Sequence, residues 1–67
     1  MEIYAEISNK ILKQMEDGSL ILNLPSGISL ERKLGSRACY FEYQDDMSKE
    51  ELISFLDYNG INWQEND

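Results

Sequence analysis

The side chains of this sequence best equipped for chemistry are its carboxylates, and most of them are gathered in its second half. Residues 42–67 hold Glu42, Asp45, Asp46, Glu50, Glu51, Asp57, Glu65 and Asp67 against Lys49 alone. Residues 1–41 are balanced, with Glu2, Glu6, Glu16, Asp17 and Glu31 facing Lys10, Lys13, Arg32, Lys33 and Arg37. The net charge of −7 therefore belongs entirely to the second segment. A surface of that sign repels nucleic acid and anionic membrane and steers towards basic partners.

Carboxylate pairs can also do acid–base work, but only where burial or a like charge moves their pKa values apart. Asp45-Asp46 and Glu50-Glu51 are sequential neighbours at the start of an expected helix, where solvated carboxylates stabilise the positive end of the dipole. The sequence contains no histidine, so the usual general base near neutral pH is missing. Its one cysteine, Cys39, sits mid-strand between apolar neighbours, with no imidazole to activate it. Cys39 is read as a core residue, and the chain as a non-enzyme. Asp45, Asp46, Glu50 and Glu51 lack the alternating ligands, central glycine and distal glutamate of a calcium-binding loop, so no metal or other cofactor is expected.

The functional expectation is protein binding. Glu42, Asp45, Asp46, Glu50, Glu51 and Asp57 form the acidic set, and Tyr58 and Trp63 lie beside it as aromatic anchors of the kind that dominate interface energy. This combination suits a small acidic inhibitor or modulator, of the phage or mobile-element type. It would imitate nucleic-acid phosphate on a basic, nucleic-acid-handling surface of a target. The alternative is an oligomeric nucleic-acid binder that stacks bases on Tyr40 and Tyr43 beside the basic cluster Arg32, Lys33 and Arg37. A structural accessory subunit, or a homodimer paired through a sheet edge or an aromatic face, is the third reading.

The elements that must position these residues follow from periodicity. Ile3, Ile7, Ile11 and Met15 fall four apart and predict a helix over the first seventeen residues, closed at Gly18. A rival reading makes residues 2–7 a strand, because Ile3, Ala5 and Ile7 alternate with Tyr4 and Glu6, and lets Ser8 cap a short helix from Asn9 to Glu16. Leu22 and Leu24, with Ile28 and Leu30 beyond the turn, recur at every second position and predict a first sheet strand over Ser19–Leu24. Pro25-Ser26-Gly27 turns it into a partner over Ile28–Leu34. A strand over Arg37–Gln44 places Cys39, Phe41 and Tyr43 on one face and Ala38, Tyr40 and Glu42 on the other. Ser48-Lys49-Glu50-Glu51 reads as a capping box opening a second helix, which Asn59-Gly60 ends before a short extended tail at Ile61 and Trp63.

One small α+β domain spanning residues 1–67 is the result: a three-stranded antiparallel sheet flanked by two helices, in the order α-β-β-β-α, or beginning with a strand. With 67 residues and no disulfide it must hold together by apolar burial. Its order resembles that of double-stranded-RNA-binding domains. Those domains place basic residues at the start of the second helix, where this chain has Asp45, Asp46, Glu50 and Glu51. The acidic N-terminus lacks the order of a signal peptide and no stretch reaches the length of a membrane span, so the expected compartment is cytoplasmic.

Overall fold

The computed structural model describes residues 1–33 and 35–66. The far end of the expected second strand, Leu34, and the last carboxylate of the acidic segment, Asp67, lie outside the described residues. The chain is α+β, as its sequence implies, but its order is β-α-β-β-α-β. The strands are β1 (Glu2–Glu6), β2 (Ser29–Glu31), β3 (Ala38–Glu42) and β4 (Trp63–Glu65), and the helices are α1 (Asn9–Glu16) and α2 (Asp46–Tyr58). All four strands form one sheet in the order β2-β3-β1-β4, with every neighbouring pair antiparallel. This is the split βαβ arrangement, in which two crossover helices return the chain to a single sheet.

The first correction concerns the N-terminus. Residues 2–6 are a strand and the long helix does not form; the rival reading, with Ser8 capping a helix from Asn9 to Glu16, is the one the chain adopts. Ile3, Ala5 and Ile7 are all at most 2% exposed, so the burial period is two here. Ser8 then breaks the strand and caps α1, accepting a hydrogen bond from the Ile11 N–H at 3.3 Å. The four-residue spacing of Ile3, Ile7, Ile11 and Met15 runs across this junction. It joins two elements that each bury a different part of it.

The second correction lies between α1 and the sheet. The predicted strand Ser19–Leu24 is a turn followed by a short 3-10 helix over Ile21–Asn23. Gly18 takes φ +83°, a conformation open to glycine, and the Asp17 carboxylate accepts the Ser19 N–H at 2.8 Å. The chain then coils locally, with the Leu24 N–H donating to the Ile21 carbonyl at 3.0 Å. Leu20 enters the core while Leu22 is 87% exposed. Leu24 leaves this turn in an extended conformation and packs partly against the core, so the alternation does not describe the segment. The Pro25-Ser26-Gly27 turn therefore joins no hairpin, and the following strand is only Ser29–Glu31.

Helix α2 begins three residues earlier than the sequence suggests. Asp45, not Ser48, is the N-cap, and its carboxylate accepts the Ser48 N–H at 2.8 Å. Ser48 is the N3 member of this box, and its hydroxyl oxygen accepts the Asp45 N–H at 3.2 Å. The expected extended tail becomes β4 by pairing with β1, Trp63 opposite Ala5 and Gln64 opposite Tyr4.

One core joins the layers. Ile3 and Ala5 of β1, Cys39 and Phe41 of β3, Met15 of α1, and Leu52 and Leu56 of α2 are buried together with Ile7, Leu20, Tyr43 and Ile61. Both helices thus cover the same sheet face. The opposite face, carrying Tyr4 and Tyr40, is uncovered among the described residues.

The two capping aspartates make stability pH-dependent. Hydrogen bonds from the Ser48 and Ser19 backbones hold Asp45 and Asp17 below their ordinary value of 3.8. A carboxylate with a depressed folded pKa contributes stability that is present above its unfolded value and is lost as pH falls through the folded one. Far-UV circular dichroism is expected to hold steady down to the ordinary aspartate range and to lose helical signal below 3.8.

Candidate interaction surfaces

The fold divides the predicted acidic set between two opposite surfaces. Asp46, Glu50, Glu51 and Asp57 are exposed on α2, and Asp45 caps it. At 3.6 residues per turn, Asp46, Glu50 and Asp57 lie within about 40° of one another around the helix and span about 16 Å along it. Glu42 is elsewhere. It belongs to β3 and points to the uncovered sheet face, on the far side of the sheet from α2.

The two expected aromatic anchors also part company. Tyr58 is 91% exposed at the end of α2, and Met47 at its start is 72% exposed. Trp63 is half-buried against the core, and its indole N–H donates to the Asp57 carboxylate at 2.9 Å. That bond ties β4 to the end of α2, so both partners have a structural task. Lys49, the one base of the acidic segment, forms an ion pair with Glu65 of β4 and lies 5.7 Å from the centre of the Tyr43 ring. Its pKa is raised, chiefly by the Glu65 carboxylate. This is the one ion pair among the described residues, so the outward carboxylates of α2 have no intramolecular counter-ion there.

The alternative nucleic-acid set is dispersed. Tyr43 is 2% exposed and cannot present a ring to a base. Tyr40 lies on the uncovered face, in a groove of about 340 Å3 shared with Glu31, Arg32 and Lys33. The Arg32 guanidinium is turned into its own loop, donating to the carbonyls of Lys33 and Ser36 at 3.1 and 3.3 Å. Arg37 lines a separate groove beside Glu6.

Three surface residues were not among the expected sites. Tyr4 stands directly opposite Tyr40, ring centres 5.2 Å apart, with Glu2 and Glu6 on either side of it along β1. Partial burial, then the Glu6 carboxylate and Tyr40, raise the Tyr4 phenol above its usual range. The alternation Glu2-Ile3-Tyr4-Ala5-Glu6 carries the signal for all three, provided the segment is read as a strand.

Cys39 is fully buried, with its thiol 3.9 Å from the Met15 sulfur, and burial raises its pKa. Both effects suppress the thiolate. Its reaction with a thiol-specific dye is expected to run at least about a hundredfold slower than in denaturant, because only an opened chain exposes it. A rate near that of the unfolded chain would place Cys39 outside the core.

Among the described residues no group of three or more metal-binding side chains converges, and no helix is long and apolar enough to cross a membrane. Comparison of the chain with protein-family models, with curated proteins and with solved structures finds no match in any of the three. What the chain is follows from its own fold and surfaces: a two-layer α+β domain with an acidic outer helix and an uncovered aromatic sheet face.

Proposed function

We propose that this chain is a non-catalytic binding protein that docks on a basic surface of another protein through the outer face of α2. One observation carries the reading. Asp46, Glu50 and Asp57 run along a single exposed stripe, Glu51 flanks it, and Met47 and Tyr58 stand exposed beside it. Carboxylates without counter-ions supply steering and register, and a projecting aromatic and a methionine supply contact area. A side chain as exposed as Tyr58 contributes nothing to the core, whereas Trp63 does.

A row of carboxylates along about 16 Å of helix presents charge as a phosphate backbone does. A target groove built to hold nucleic acid would accept it, and occupying that groove makes the chain an inhibitor or modulator.

The test is capture by the tagged protein from a lysate of its natural host, washed at low and at high salt. A prey with a basic surface, retained at low salt and released at high salt, is the expected result. A prey that resists high salt, or self-association alone, would contradict docking through α2.

A further inference from the structure

The uncovered sheet face has a composition unlike either the core or the α2 surface. Its central row runs Glu31, Tyr40, Tyr4, Gln64 across the four strands, each residue directly opposite the next. One step along the strands, Glu42 lies opposite Glu2, and one step the other way is Glu6. Steps of two residues along a strand are about 6.8 Å, and directly opposed side chains are about 5 Å apart. The tyrosine pair is therefore bracketed by carboxylates on both sides. Glu2 and Glu42 oppose each other as like charges, which destabilises a sheet; the Asn66 side-chain amide donates to the Glu2 carboxylate, a neutral partner that leaves its charge in place.

That arrangement selects its occupant. Phosphate is repelled by Glu2, Glu6, Glu31 and Glu42. A second copy would set the same carboxylates against each other. A guanidinium answers every element at once, because it stacks on tyrosine faces and pairs with carboxylates in a planar fork. An extended strand presents alternate side chains at the pitch of the rows beneath it. The chain's own cations stand at the margins of this face and are outnumbered by its four carboxylates: Arg32 and Lys33 rim the groove beside Tyr40, with the Arg32 guanidinium engaged by the carbonyls of Lys33 and Ser36, Arg37 lines the groove beside Glu6, and Lys49 pairs with Glu65 on the covered face.

We infer that this sheet face is a second docking surface, distinct from α2, that binds an extended arginine-bearing segment of a partner protein across Tyr4 and Tyr40. It stands whether or not α2 binds.

The probe is a fluorescein-labelled octapeptide alternating arginine and serine, titrated by anisotropy at low salt and compared with its lysine analogue. Saturable binding is expected, with the lysine peptide weaker by about fivefold or more because ammonium lacks the stacking plane. Tyr40→Ala should weaken binding about tenfold, while Tyr40→Phe, which keeps the ring, should stay within about twofold. Glu31→Gln with Glu42→Gln should also cost about tenfold and flatten the salt dependence. Asp46→Asn with Glu50→Gln and Glu51→Gln, confined to α2, should leave the peptide affinity within about twofold. Four results would overturn the assignment: no peptide binding, equal affinity for lysine and arginine, loss through the α2 variant, or preferential binding of a single-stranded oligonucleotide.

Discussion

Phe41→Ala is expected to leave this protein largely unfolded at room temperature. Phe41 is completely buried on β3, the strand between β2 and β1, and is the largest of the fully buried side chains. It lies opposite Ile3 on one side and Leu30 on the other, beneath the helices that bring Leu52 and Leu56. Truncating a buried phenylalanine costs about 3–5 kcal/mol, through lost transfer energy and the cavity left behind. A domain of 67 residues has a total stability of about 3–10 kcal/mol at the usual value per residue. The loss is comparable to the whole. Leu22→Ala provides the contrast. Leu22 stands in the densest apolar run of the sequence, yet it is 87% exposed, and its truncation should shift the melting temperature hardly at all. Thermal melts followed by circular dichroism check both. A cooperative, wild-type-like melt for Phe41→Ala, or a large loss for Leu22→Ala, would contradict the packing described.

The second large effect is on binding. Replacing Asp46 with Asn and Glu50 and Glu51 with Gln removes three exposed carboxylates from α2 without touching its cap. Asp45 is left in place because its carboxylate holds the Ser48 N–H, and Asp57 because it accepts the Trp63 indole. The triple variant should melt within a few degrees of wild type, since exposed charges contribute little to stability. Its capture of a basic partner should fall by about tenfold to a hundredfold, mostly through a slower association rate. Capture that is unchanged in the triple variant would remove α2 from the interface. A melting temperature that collapses would show that these carboxylates are structural.

Some of this protein is legible in its sequence because local chemistry fixed it. Strand β3 and its two faces follow from the alternation Cys39, Phe41, Tyr43 against Ala38, Tyr40, Glu42, and the structure buries the first set and exposes Tyr40 and Glu42. The end of α2 at Asn59-Gly60 is likewise local, with Gly60 at φ +68°. The failures share a cause. Ile3, Ile7, Ile11 and Met15 satisfy a helical period across a strand, a cap and a helix, so that pattern outweighed the rival reading, which placed the boundary at Ser8 and the helix over Asn9–Glu16 as the structure has them. Leu20 to Leu24 satisfies both a period of two and a spacing of four, and no local feature decides between them. A strand needs a partner, and both edges of β3 are taken, one by β2 and the other by β1, more than thirty positions away in the chain.

β4 shows the same dependence more sharply. Three residues at the far end of the chain become a strand only because β1 offers them an edge. Preferring the long helix over the N-terminal strand therefore hid the pairing of β4 and the Tyr4–Tyr40 pair together. The acidic set was visible as composition, but composition does not record that Glu42 and Asp57 lie on opposite sides of the molecule.

At 7.8 kDa the chain suits residue-level mapping by amide chemical shifts. The decisive measurement is the change in those shifts when the salt-sensitive captured partner is added to isotope-labelled protein. Shifts concentrated on Asp46, Met47, Glu50, Ser54, Asp57 and Tyr58 are expected, with the core strands undisturbed. Shifts confined to other surfaces, with the outer face of α2 silent, would contradict the docking surface proposed for this protein.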